Sequence, residues 1–191
     1  MTTIAILLFE GVEELDFAGP WEVFRVAQGE DPTFDVYTVA EHLEPIRCAN
    51  GLRVLADRTL ADAGRPDVIV VPGGKGTRNP GPAIVPWIAE ADRTTQWTTS
   101  VCTGSFLLAA AGVTGGKRVT TYHTEIECLA ARGDTGEVLA GERWVQDGKV
   151  VTAAGVSAGI DMSLWLLGEL RSPEFSRQVR DGIEYDPAPP Y

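Results

Sequence analysis

Apolar positions along the chain fall into two rhythms. Short uninterrupted runs occur at Ile4-Ala5-Ile6-Leu7-Leu8-Phe9 and Val68-Ile69-Val70-Val71. A parallel strand buried on both faces needs such a run. Residues 34–40 alternate in character and predict a further strand. Residues 96–101, rich in Thr, Val and Trp, predict another. Between these runs lie segments with helical character. Residues 21–27 follow Gly19-Pro20, which places Pro at or near the first helical position. Residues 83–93 are amphipathic, and 105–111 are Leu- and Ala-rich and closed by Gly112. Thr124 is a plausible N-cap for 124–132. Residues 161–170 form the most apolar helix and 173–180 one more. Asn50-Gly51 marks a hairpin over 45–55, and Asp147-Gly148 joins 143–146 to 149–153 in a second. Residues 58–63 read as a short helical turn, 117–121 as a short strand and 155–159 as a small-residue turn. The tail 185–191 reads as extended.

Strands and helices alternate from start to end, which argues α/β architecture around a largely parallel sheet. In such sheets ligands bind beyond the carboxyl ends of the strands, at a switch in strand order. Three loops leaving apolar strands carry chemistry: one holds Asp16, one Gly73-Gly74 and one Cys102-Thr103.

Composition narrows the field. A chain of 191 residues, 44% hydrophobic and 23% charged, fits one globular domain over 1–191. Its net charge of −11 argues against nucleic acid as a partner, because phosphate recognition needs a basic face. Cys48, Cys102 and Cys128 match neither a disulfide framework nor a zinc spacing, so a reducing compartment is expected. The N-terminus enters a core strand with no basic leader, and no apolar run reaches membrane-spanning length. A cytoplasmic protein without a membrane partner is the expectation. Gly73-Gly74-Lys75-Gly76-Thr77 lacks the residue order of a phosphate loop, which sets nucleotide binding aside.

Cys102 sits where a strand gives way to a helix, with small residues at Ser100, Gly104 and Ser105. This is the geometry of a nucleophile elbow. Unpaired amides and the positive end of the helix favour a thiolate, so a lowered pKa is expected. The plainer alternative is a buried structural cysteine.

Several blocks occur in order: Val71-Pro72-Gly73-Gly74, Ser100-Val101-Cys102-Thr103-Gly104, Gly116-Lys117-Arg118-Val119-Thr120-Thr121 and Ala154-Gly155-Val156-Ser157-Ala158-Gly159-Ile160-Asp161. Together they resemble the ThiJ/PfpI superfamily, over nearly the whole chain. The resemblance implies a flavodoxin-like three-layer sandwich with a mostly parallel central sheet. Leu15-Asp16-Phe17-Ala18-Gly19-Pro20 and Ile183 to Tyr191 are similar to its isonitrile (isocyanide) hydratase branch. That likeness implies a hydro-lyase that turns a small-molecule isonitrile into an N-substituted formamide. It implies a homodimer and no metal or organic cofactor. Cys102 then matches the nucleophile, Asp16 the acid and Thr103 a hydroxyl residue of the site. Backbone amides of Gly73, Gly74 and Thr103 are candidates for stabilising charge, and Val156, Ser157 and Trp21 for lining the pocket. The same blocks occur in regulators that carry a helix-turn-helix module. No such module follows within these 191 residues, so a DNA-binding reading is not expected.

Rival roles remain for several residues. Asp16 could cap a helix, and Ser157 could cap the last long one. The related pattern places histidine where Tyr122 stands, and His123 comes one residue later, so its side chain points elsewhere. A Cys–His dyad is therefore not expected. Glu14 is a fallback acid partner for Cys102. Cys48 and Cys128 read as packing residues. Two other functions stay open: a glyoxalase or deglycase acting through Cys102, and a small-molecule or oxidation sensor built on the same thiol.

Overall fold

The structure, a computed structural model, describes residues 1–187. The last four residues of the expected extended tail, 188–191, lie outside the described residues. The described residues form nine strands and six helices. The strands are β1 (Thr2–Leu7), β2 (Phe34–Ala40), β3 (Ile46–Arg47), β4 (Arg53–Val54), β5 (Arg58–Thr59), β6 (Val68–Val71), β7 (Trp97–Val101), β8 (Trp144–Asp147) and β9 (Val150–Ala153). The helices are α1 (Glu14–Glu30), α2 (Ile84–Asp92), α3 (Gly104–Ala110), α4 (Ile126–Ala131), α5 (Ala158–Leu170) and α6 (Pro173–Gly182).

Seven strands form one sheet in the order β5-β2-β1-β6-β7-β9-β8. Every pairing in it is parallel except that of β8 with β9. The strand order reverses at β1, with β2 on one side and β6 on the other. The apolar runs occupy the middle of the sheet: Ile4, Ile6, Ile69 and Val70 are fully buried. Burial of each such side chain stabilises the fold by about 1.5–3 kcal/mol. Helices α1, α5 and α6 pack together as one group and α2 and α3 as another, flanking the sheet in the expected flavodoxin-like layers. The β3–β4 ribbon stands apart, paired antiparallel around Asn50-Gly51 as the turn signal predicts.

Helix α1 begins at Glu14, seven residues before the predicted start. Pro20 lies inside the helix rather than at its N-terminus. Its missing N–H forfeits one bond, that to the Asp16 carbonyl. The stripe Phe17, Pro20, Val23, Phe24 and Ala27 is buried and outweighs that loss. Asp16 is thereby a first-turn residue and not the cap, which is Glu13. Gly19 lets α1 approach α5, since a Cβ there would come within 2.9 Å of Ile160 Cγ1.

Three local expectations are corrected. Residues 58–63 supply β5 instead of a helical turn, because Asp57 accepts both the Thr38 N–H and its hydroxyl and docks the segment on β2. Residues 117–121 make one isolated bridge, Val119 to Val138, rather than a strand. The segment is held by the Thr120 N–H, which donates to Thr152 Oγ1. Thr124 caps nothing: a 3₁₀ turn over His123–Glu125 leads into α4, whose N-cap is Glu125.

Candidate active site

The four adjacent strands β1, β6, β7 and β9 each deliver one part of the site from the segment that follows their carboxyl end. Cys102 follows β7 with φ of 56°, a left-handed conformation uncommon outside glycine. Its N–H donates to the carbonyls of Ala153 and Ala154 at 3.1 and 2.9 Å. Its carbonyl accepts from the Thr121 hydroxyl at 2.9 Å and the Ser105 hydroxyl at 3.2 Å. The elbow is thus fixed on both sides of the sulfur-bearing carbon. Gly104 is required by contact, because a Cβ there would lie 2.0 Å from the Val71 carbonyl oxygen.

The thiol is 7% exposed. The amides of Thr103 and Val156 and the Thr103 hydroxyl are near enough to the sulfur to favour its charged form, and the Asp16 carboxyl lies beside it. Asp16 is fully buried. Its Oδ2 accepts from the Gly73 N–H at 2.9 Å, while Oδ1 has no hydrogen-bond partner among the described residues. Burial pushes the Asp16 carboxyl up to about 7, helped by the Glu13 charge and opposed by the Gly73 amide. The Cys102 thiol is pushed up to about 12, first by burial and then by the neighbouring Asp16 charge. The sequence predicts the opposite shift. The helix-terminal amides do pull toward thiolate, but α3 is only seven residues long and burial beside a carboxylate outweighs it. The pair therefore holds a thiol next to a carboxyl group that titrates near neutrality.

Gly73 is the junction of the site. A Cβ there would meet Thr103 N at 2.5 Å, Thr103 Oγ1 at 2.6 Å and Asp16 Oδ2 at 2.9 Å. The amides of both glycines are engaged within the site, Gly73 by Asp16 and Gly74 by the Thr103 hydroxyl at 3.0 Å. The amides that face the sulfur are those of Thr103 and Val156. Val156 adopts φ of 47°, a strained value for a β-branched residue. Its place in the quoted sequence block was visible, but its amide's role needed coordinates. The same holds for Ser105 and Thr121.

Other candidates have partners of their own. The Ser157 hydroxyl makes no cap; it accepts from Arg143, which is paired with Asp161. Trp21 is 37% exposed and lines a cavity of about 350 Å³ with Phe17, Val54 and Leu55. Trp165 packs edge-on against Trp97 and lines a separate cavity of about 750 Å³ with Trp144 and Tyr185. Tyr122 packs its ring on Gly155, and His123 is exposed beside it. Glu14 holds the hairpin instead of the thiol, accepting from the Asn50 amide at 2.9 Å and its side chain at 2.9 Å. Cys48 is buried and Cys128 exposed. Among the described residues no group of three or more His, Cys, Asp or Glu side chains could hold a metal ion, and no helix is long and apolar enough to cross a membrane.

Comparison with known proteins gives the relatives of this chain. The DJ-1/PfpI family pattern matches residues 2–169. The isonitrile hydratase of Pseudomonas putida is 36% identical over 98% of this chain and 80% of its own length. The HTH-type transcriptional regulator CdhR of Pseudomonas aeruginosa is 29% identical over 92% of this chain, which spans 52% of that regulator. Among solved structures, a ThiJ/PfpI family protein from Pseudomonas syringae superposes with a TM-score of 0.91 at 31% identity, covering 100% of this chain and 77% of that one.

Proposed function

The chain belongs to the DJ-1/PfpI family, and from that premise we propose that it hydrates an isonitrile to an N-substituted formamide. Cys102 is the nucleophile and Asp16 the acid and base. The observation that carries this reading is the buried pair itself: a thiol and a carboxyl group that share one proton between about pH 7 and about pH 12.

In that state the Asp16 carboxylate takes the thiol proton. The sulfur lone pair attacks the terminal isonitrile carbon and forms a C–S bond. Protonated Asp16 then delivers its proton to that carbon, giving a thioimidate. Asp16, again a carboxylate, accepts a proton from water as the water oxygen attacks the same carbon, and the proton passes on to nitrogen. The tetrahedral adduct breaks its C–S bond. Sulfur leaves with the electron pair and regains the hydroxyl proton through Asp16. The sum is one isonitrile plus one water to one formamide. The Thr103 and Val156 amides stabilise the thiolate as it attacks and as it leaves.

The acting form is a homodimer in this reading. Leu15, Trp21, Leu52 and Leu55, on α1 and the β3–β4 ribbon, are 37–64% exposed, and covering them by a second copy accounts for their apolar character. The single experiment is turnover of para-nitrophenyl isonitrile, with methylglyoxal assayed in parallel. Formamide production by the wild type, abolished by Cys102→Ala and Asp16→Asn, is the expected result. Methylglyoxal consumption without isonitrile hydration would replace this reading by the glyoxalase one. Inertness toward both, with peroxide oxidation confined to Cys102, would replace it by the sensor.

A further inference from the structure

A cavity of about 400 Å³ reaches Thr103, the residue that follows the nucleophile, and plays no part in the steps above. Thr103 forms its inner end, and Pro80, Phe106, Leu107 and Ala110 give it an apolar wall. Arg78, Glu125 and Arg132 close the other side. We propose that this cavity receives the substituent on the isonitrile nitrogen, and that Glu125 selects substituents bearing a hydrogen-bond donor. The inference rests on the hydration reading for the reacting carbon and adds the substrate class.

Three observations carry it. First, an isonitrile bonded at Cys102 through its terminal carbon becomes a bent thioimidate, whose nitrogen substituent must occupy space next to the elbow. The cavity begins at Thr103, whose own amide faces that sulfur. Second, its volume lies within the range of about 300–1,000 Å³ typical of small-molecule sites, and its apolar wall suits an aryl ring. Third, Glu125 has one oxygen to spare. Arg78 Nη2 donates to Glu125 Oε1 at 2.8 Å, but Oε2 is buried with no hydrogen-bond partner among the described residues. An orphaned buried carboxylate oxygen calls for a donor. The two guanidinium groups at the rim are already committed, Arg78 to Glu125 and Arg132 to Asp134. The cavity therefore offers an acceptor beside two cations that already face carboxylates. It fits an aryl isonitrile with a hydroxyl or amino group, rather than one with a carboxylate or phosphate.

Two selectivity ratios test this. Glu125→Gln keeps the side chain's size and its oxygen toward Arg78. It should lower the preference for para-hydroxymethylphenyl over para-ethylphenyl isonitrile about tenfold, through KM rather than kcat. Ala110→Phe, at an exposed position, fills the cavity and should lower the kcat/KM ratio of phenyl to methyl isonitrile at least tenfold. An unchanged ratio in Ala110→Phe overturns the cavity assignment, and an unchanged preference in Glu125→Gln overturns the donor selection. A binding measurement separates this inference from the reaction it builds on. Calorimetry of Cys102→Ala with N-phenylformamide should show binding that the added Ala110→Phe change abolishes. Equal binding by both proteins refutes the cavity assignment, even where no isonitrile is turned over.

Discussion

Replacing Asp16 by Asn changes one thing cleanly, because the isosteric amide cannot ionise. Asp16 is fully buried, and its carboxyl titrates at about 7 in the folded protein against an ordinary value of 3.8. A group whose folded pKa is raised contributes stability at low pH and loses it as pH climbs through the folded value. Between pH 5 and 8 that loss amounts to roughly 2.5 kcal/mol, taking 1.36 kcal/mol per pH unit over the window where only the folded state holds the proton. Other titrating groups move wild type and variant alike, so the difference between the two curves isolates Asp16. Urea unfolding at pH 5 and pH 8 should show Asp16→Asn gaining roughly 2.5 kcal/mol on the wild type across that interval. In thermal unfolding this is a relative gain of about 5–10 °C for a chain of this size. Parallel pH curves for the two proteins would refute the reasoning: the carboxyl would then not be held protonated, and the shared-proton argument for catalysis would go with it.

The pH profile of hydration follows from the same pair. Wild-type kcat/KM should rise as pH passes about 7, where the Asp16 carboxyl loses its proton and can accept the one on Cys102, and Asp16→Asn should lack that limb as well as most of the activity. Gly104→Ala drives a methyl group to 2.0 Å from the Val71 carbonyl oxygen; a loss of about 3 kcal/mol in unfolding free energy is expected, read by urea denaturation. Thr121→Val removes one of the two hydroxyls that hold the Cys102 carbonyl and leaves the Ser105 hydroxyl only its longer bond to that carbonyl; a cost of about 1–2 kcal/mol, with kcat reduced more than KM, checks its role in positioning the elbow. Leu55→Glu with Trp21→Glu should give a monomer by sedimentation velocity if that face meets a second copy.

Much of this was written in short-range features. The uninterrupted runs at β1 and β6 announce central strands, and Asn50-Gly51 and Asp147-Gly148 announce their hairpins. The convergence of Asp16, Gly73 and Cys102 follows from strand order, which alternation alone constrains. What escaped depends on distant contacts. Pro20 signalled a helix start because its cost is local, whereas the burial of Phe17 against the core is not. The sign of the Cys102 shift escaped because a helix terminus is legible in sequence, while depth of burial and the nearness of a carboxylate are not. Thr121 lies nineteen positions from Cys102, and nothing in its neighbours marks it as a support of that carbonyl.

The bonds from the Cys102 amide to Ala153 and Ala154 also order events in time. During synthesis the strand carrying the nucleophile emerges some fifty residues before the segment that fixes its backbone. Until β9 pairs alongside, β7 is an open sheet edge and the thiol has neither its left-handed backbone nor the Val156 amide. Chemistry thus waits on the closing of a long loop, which is a slow kind of step. A nascent or partly unfolded chain carries a cysteine without a site, and turnover at that sulfur reports that the C-terminal quarter of the sheet has docked.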